Sequence, residues 1–302
     1  MHYAHFVALT SFDSPGADAI MDISYPAPVD QLLTLGEPEG RDWLDYRSLG
    51  LSDEHVPVLV ELLLDERIAW SAYTGGENEA QYSAHLHAWR ALGQLGVEAA
   101  VEPLLRRLAL DWESDFANED IPEALGMIGP GALDAVREAL PRAAAQPEPW
   151  TAVALSDALK EIATRHPQTR DEAVAAITAQ LQGWRDQDLY LNTFLISNLL
   201  DLRAVEAAPV MEAAFAGRVV DTSVTGDWED VQVRLGLLAE RITPRPRDEP
   251  RLIDAWLEHG GSFPLRRAPS QPAPPPPAHP AARASKLRKA QKQASRRKGK
   301  RK

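Results

Sequence analysis

Two stretches of the chain, Ala91-Leu92-Gly93-Gln94-Leu95-Gly96 and Ala124-Leu125-Gly126-Met127-Ile128-Gly129, repeat one pattern 33 residues apart. Each is followed by another amphipathic segment, Val97 to Leu105 and Gly131 to Leu140, and further copies begin at Asp171 and Ala204. Starts near 97, 131, 170 and 203 give a period of 33–39 residues. Such a period is the signature of stacked helix pairs, in which each unit buries its apolar face only against its neighbours.

The rest of the central sequence agrees. From about 51 to 243 apolar residues recur at helical spacing among Ala, Leu, Glu and Arg, which are good helix formers. No run alternates with period two over strand length, apart from His5–Ser11. The pattern predicts first helices at 53–65, 97–110, 131–145, 170–183 and 203–217, with second helices at 80–95, 118–128, 150–165, 188–201 and 228–241. Trp70, Trp112, Trp150, Trp184 and Trp228 fall in or beside the turns joining each pair. Acidic residues flank three of them, as in Asp111-Trp112-Glu113, Trp184-Arg185-Asp186 and Asp227-Trp228-Glu229. Carboxylates there favour the positive ends of the helices that follow.

Val97–Gly129, with Glu-Pro-Leu-Leu in its first helix and Ala-Leu-Gly-Met-Ile-Gly closing its second, resembles the bacterial HEAT-like repeats first described in phycobilin-lyase-related proteins. The resemblance spans roughly 51–243. It implies a right-handed, curved α-solenoid whose second helices line a concave, protein-binding face. The third and fourth units depart from the pattern, ending Leu159-Lys160-Glu161-Ile162 and Leu199-Leu200-Asp201-Leu202. The expected fold is all-α: a solenoid of about five HEAT-like helix pairs over 51–263, an irregular N-terminal cap over 1–50, and a disordered tail over 264–302. The cap carries two short helices at most, Val29–Leu35 and Trp43–Leu49. Arg251–Glu258 reads as a last short helix.

Charge divides the 302 residues unevenly. The chain has 32 Lys/Arg and 44 Asp/Glu, a formal −12. Thirteen of the basic residues and no acidic residue lie in 266–302, which leaves 19 basic against 44 acidic in 1–265, a balance of −25. Pro264–Pro280 holds eight prolines in 17 residues, a spacer composition. Beyond it come Arg283, Lys286, Arg288, Lys289, Lys292, Arg296, Arg297, Lys298, Lys300, Arg301 and Lys302, with one Leu and no aromatic residue. This composition suits a polybasic arm that neutralises phosphates without reading sequence. Its own acidic body is an equal competitor. An amphipathic membrane helix needs a continuous apolar face, which the arm lacks.

Several chemistries are excluded or unsupported. Without cysteine there is no disulfide, thiolate zinc site or thiol nucleophile. No Gly-x-Ser-x-Gly elbow or Gly-x-x-x-x-Gly-Lys loop occurs, Lys160 is the sole lysine before the tail, and Gly75-Gly76 has no strand before it. His85 and His87 stand two apart on one helix, facing different ways, so no metal site and no cofactor are expected. The acidic groups at Asp111–Asp120 and Asp227–Asp230 read first as helix caps and solvated charge, and second as a partner-binding patch. The start of the chain lacks a basic signal-peptide region, and no stretch approaches the roughly 18 apolar residues of a spanning helix. A cytoplasmic monomer is expected.

Projection of the second helices places Tyr82, His85, Trp89, Asn118, Glu119, Tyr190, Asn192, Asn198 and Asp230 on the concave face. Aromatic, amide and carboxylate side chains together suit protein recognition. For Trp89 and Tyr190 a place in the core between units is the equal alternative. The leading expectation is a non-enzymatic scaffold or adaptor binding a protein through its concave acidic surface. The rivals are RNA, DNA or ribosome association through the tail and, further off, a lyase-type enzyme.

Overall fold

The computed structural model describes residues 23–38, 42–68, 81 and 83–244. His5–Ser11, Trp70, Gly75-Gly76, Tyr82, Arg251–Glu258, the proline spacer and the whole polybasic segment lie outside the described residues. Among the described residues the fold is all-helical and contains no strand.

Five helices form one row: α1 (Val56–Leu63), α3 (Val101–Leu110), α5 (Pro130–Ala144), α7 (Arg170–Leu181) and α9 (Ala208–Ala216). A second row holds α2 (Ala84–Leu95), α4 (Asp115–Ile128), α6 (Trp150–Arg165) and α8 (Leu189–Asp201). The short α10 (Thr222–Thr225) packs on α8, and α11 (Trp228–Arg234) packs on α9. Within each row every helix touches the next, and α1–α2, α3–α4, α5–α6 and α7–α8 pack as partners. The core runs between the rows. In α3 it takes Val101, Leu104 and Leu108, the i, i+3, i+7 stripe expected of a helix buried on one side.

Boundaries depart from the sequence reading in two systematic ways. Turns of 3-10 helix at Asp53–His55, Glu98–Ala100, Pro167–Thr169 and Val205–Ala207 precede α1, α3, α7 and α9; α geometry starts three to five residues late in α1, α3 and α9, while α7 begins at Arg170 as expected. The helix expected over 228–241 ends at Arg234, because Gly236 takes φ 76° and turns the chain. Arg241 then returns to the start of α11, donating to Asp227 at 2.6 and 2.7 Å. It also lies 2.8 Å from Asp230 and 3.3 Å from Glu229. Among the described residues of the N-terminal region only 3-10 turns form, at Val29–Leu33 and Arg47–Leu49.

That N-terminal region covers α2. Tyr46 is fully buried and its hydroxyl lies 2.7 Å from Nδ1 of His87. Nε2 of His87 faces the carbonyl of Gly36 at 2.8 Å. A carbonyl only accepts, so Nε2 carries the proton and Nδ1 accepts from Tyr46. Gln94 accepts from the Tyr46 amide at 3.0 Å and donates to the Leu44 carbonyl at 2.8 Å. Packed also between α1 and α4, α2 has eleven of its twelve residues buried.

His85 gives this arrangement a pH dependence. It is 5% exposed, and Nε2 meets the Asp65 carbonyl at 2.9 Å. Burial, and then the nearby Arg107, push its pKa down to about 3; burial lowers that of His87 as well. The folded chain therefore keeps a neutral ring where the unfolded chain, titrating near 6.5, takes up a proton. The stability this contributes is complete above pH 6.5 and is lost as pH falls toward 3. Urea unfolding between pH 6.5 and 5 is expected to show stability falling by up to about 1.4 kcal/mol per pH unit from His85. In His85→Gln, which keeps a donor for Asp65, the slope should be shallower. An unchanged slope would mean that His85 is not held neutral.

Candidate functional site

Charged side chains on the second row are engaged with one another. Asp120 accepts from Arg90 Nε at 2.7 Å and from Trp89 Nε1 at 3.1 Å. The Arg90 guanidinium also sits 5.3 Å from the centroid of the Trp43 ring, within cation–π range. Further along, Arg165 bonds Glu123 at 2.8 Å and lies 3.6 Å from Glu161. Lys160 stands 3.5 Å from both Asp157 and Glu161, and Arg234 is 2.5 Å from Asp201. Burial works to lower the Lys160 pKa, but Asp157, Glu161 and Asp201 outweigh it and hold the ammonium charged. Burial raises that of Asp157 against the pull of Lys160. Ser156, fully buried, donates to the Val153 carbonyl and accepts from Asn198 Nδ2, both at 2.8 Å. This ladder holds helices together and presents neither a deprotonated amine nor a hydroxyl free to attack.

The residues singled out on the second helices do not share a surface. His85, Trp89, Asn192 and Asn198 are buried, which removes them from the expected partner-binding face. The physical reason is the same in each case: a partner distant in sequence uses the polar atom. For Trp89 that partner is Asp120, and for Asn198 it is Ser156. Tyr190, half-buried, stacks near Trp150 with centroids 5.7 Å apart. Asp230 caps α11 with Asp227, the two exchanging backbone bonds in a capping box. Glu119 is exposed and Asn118 half-buried on α4; Tyr82 lies outside the described residues.

The turns between partner helices tell more. Asn118 and Asn192 are each the fourth residue of their helix. Each donates from Nδ2 to the carbonyl of the tryptophan in the preceding turn, Asn118 to Trp112 at 2.8 Å and Asn192 to Trp184 at 2.9 Å. The two turns are thus built on one plan but completed differently. In the α7–α8 turn, Asn192 Oδ1 accepts from Gln187 Nε2 at 2.9 Å, and Gln187 is held by Gln180. Arg185 lies over the Trp184 ring at 4.0 Å, and Gly217 packs so close to that ring that a Cβ there would collide with it.

The α3–α4 turn lacks both additions. Glu113 stands where Arg185 follows its tryptophan, and buried Leu108 stands where Gln180 precedes it by four. Asn118 Oδ1 is buried without a hydrogen-bond partner. Arg107 is taken by Asp111, four residues on, and Ser114 caps α4 through the Ala117 amide. Around half-buried Trp112 the surface carries exposed Leu110 and Phe116, at 42% and 40%, together with exposed Glu113 and Asp115. Among the described residues no basic side chain pairs with Glu113 or Asp115. Sequence reasoning placed Trp112 in a turn but missed this. The available signal was the comparison of Trp112-Glu113-Ser114 with Trp184-Arg185-Asp186-Gln187, where the cation and the amide donor are missing from the first.

Fold and site together define an all-helical protein of paired, stacked helices with an aromatic and acidic turn edge. The chain belongs to the DUF1186 family, described as a protein of unknown function, whose profile matches residues 50–259. No curated protein and no solved structure matches it. The match begins just before α1, so the segment covering α2 and the polybasic segment both lie outside it. No group of three or more potential metal-ligating residues occurs among the described residues. None of their helices is long and apolar enough to cross a membrane.

Proposed function

We propose that this protein is a non-enzymatic binding scaffold, a HEAT-like solenoid whose recognition point is the α3–α4 turn and whose ligand is an arginine-bearing segment of protein. The solenoid reading is supported by the two-row packing. It is supported further by the close approach along the second row, where a Cβ on Gly93 would meet Ala124 and one on Gly126 would meet Glu161, each at 2.7 Å. A row packed more closely than its partner lies on the inside of a curve.

The observation that carries the ligand class is the orphaned Asn118 Oδ1 beside an uncapped Trp112. A buried acceptor without a donor costs about 1–3 kcal/mol, so this turn opens more readily than its α7–α8 counterpart. Opening frees Oδ1 for a donor and bares the indole face. An incoming guanidinium satisfies both, with Glu113 and Asp115 balancing its charge, as Arg185 and Gln187 do internally for Trp184 and Asn192. Arginine suits this better than lysine because its planar fork stacks and donates in one plane.

Fluorescence anisotropy of labelled hexa-arginine against the native chain tests the reading. Hexa-arginine is expected to bind several-fold more tightly than hexa-lysine, and Trp112→Ala is expected to remove that preference. Equal affinity for the two peptides, or no effect of Trp112→Ala, would overturn it.

A further inference from the structure

We infer that the α3–α4 turn is occupied in the free protein by the chain's own basic segment, residues 281–302, which a partner's arginine must displace. The inference rests on the turn reading above and adds its regulation.

Charge complementarity selects the occupant. The last 20 residues carry 11 basic side chains, five of them arginine, and no acidic one. Their single apolar anchor is Leu287, so they cannot fill an apolar groove; a site of indole face plus carboxylates is what such a segment can use. Several acids elsewhere on the body already hold their own cations: Asp120 with Arg90, Glu206 with Arg170, Glu172 with Arg137, and Asp227 with Arg241. Glu113 and Asp115, exposed beside Trp112, have none among the described residues.

Chain length permits the contact. From Pro244, the last described residue, 36 residues lead to position 281, a span of at most about 120 Å. Five helix pairs set about 10 Å apart occupy about 40–50 Å, so the segment reaches the α3–α4 turn from the far end of the rows. Tethering places it there at a concentration on the order of millimolar. Against a dissociation constant of about 10⁻⁴ M, that concentration weakens a competing peptide about tenfold.

The test uses full-length protein and labelled hexa-arginine. Replacing all eleven basic residues of 283–302 by glutamine is expected to tighten hexa-arginine binding about tenfold relative to the native chain. Because the change also makes the protein more acidic overall, the gain must disappear when Trp112→Ala is added to the same variant. Equal affinity of the native and neutralised chains would overturn self-occupancy while leaving the turn reading intact. A gain that survives Trp112→Ala would overturn both. Single-stranded RNA supplies a further arm. If the arm is held at the turn, Trp112→Ala in the native chain should bind a uridine 20-mer more tightly than the native chain does. Equal RNA affinity would show the arm already free to act as a nucleic-acid contact, and would overturn the inference.

Discussion

Asp120→Ala is expected to destabilise the protein by about 3–5 kcal/mol, the cost of leaving a buried charge without its partner. The Arg90 side chain is 2% exposed and that of Asp120 10%, so neither ion can recover solvation by a rotamer change. The carboxylate also accepts from the Trp89 indole, and losing it strands two donors at once. Guanidinium unfolding followed by circular dichroism measures the loss. Because stacked units can melt separately, the α2 end is expected to loosen first and the transition to show a lower apparent m-value. The double change Arg90→Met with Asp120→Leu removes both charges and is expected to cost less than Asp120→Ala alone. A cost below about 1 kcal/mol for Asp120→Ala would mean that the pair is effectively solvated.

The same pair shows where sequence stops being informative. Helix positions and row membership were legible because they depend on local periodicity: the stripe Val101, Leu104, Leu108 and the repeated Ala-Leu-Gly need no knowledge of distant chain. Polar residues on α2 were not legible in this way. His85, His87 and Arg90 take their partners, Asp65, Tyr46 and Asp120, from 20 to 41 residues away, and local periodicity does not announce them. Asn192 likewise reads as a groove residue, yet its amide reaches two turn carbonyls, Trp184 and Val219. The candidate site lay between these cases. Its residues were visible, but its incompleteness appears only when two turns of one plan are compared.

Glycine in the repeated motif offers the second large effect. As a helix ending, the pattern assigns its glycines one role, but the structure divides them. Gly96 takes φ 71° and closes α2, a left-handed role that Arg203, at φ 52°, fills after α8. Gly93 instead lies within α2, where a Cβ would stand 2.7 Å from both Cα and Cβ of Ala124 on α4. The two possible roles predict opposite signs. Helix propensity alone favours alanine over an interior glycine by about 1 kcal/mol, so without the close approach Gly93→Ala stabilises. With it, backbone on α4 must move, since no rotamer of Ala124 relieves the clash. Overpacking of this kind costs about 1–3 kcal/mol, and Gly93→Leu is expected at or above the upper end of that range. Gly93→Ala is expected to be net destabilising, and adding Ala124→Gly should return part of the loss by removing one of the two colliding atoms. A more stable Gly93→Ala protein would mean that α2 and α4 stand further apart, and the curvature argued from the second row would lose its main support.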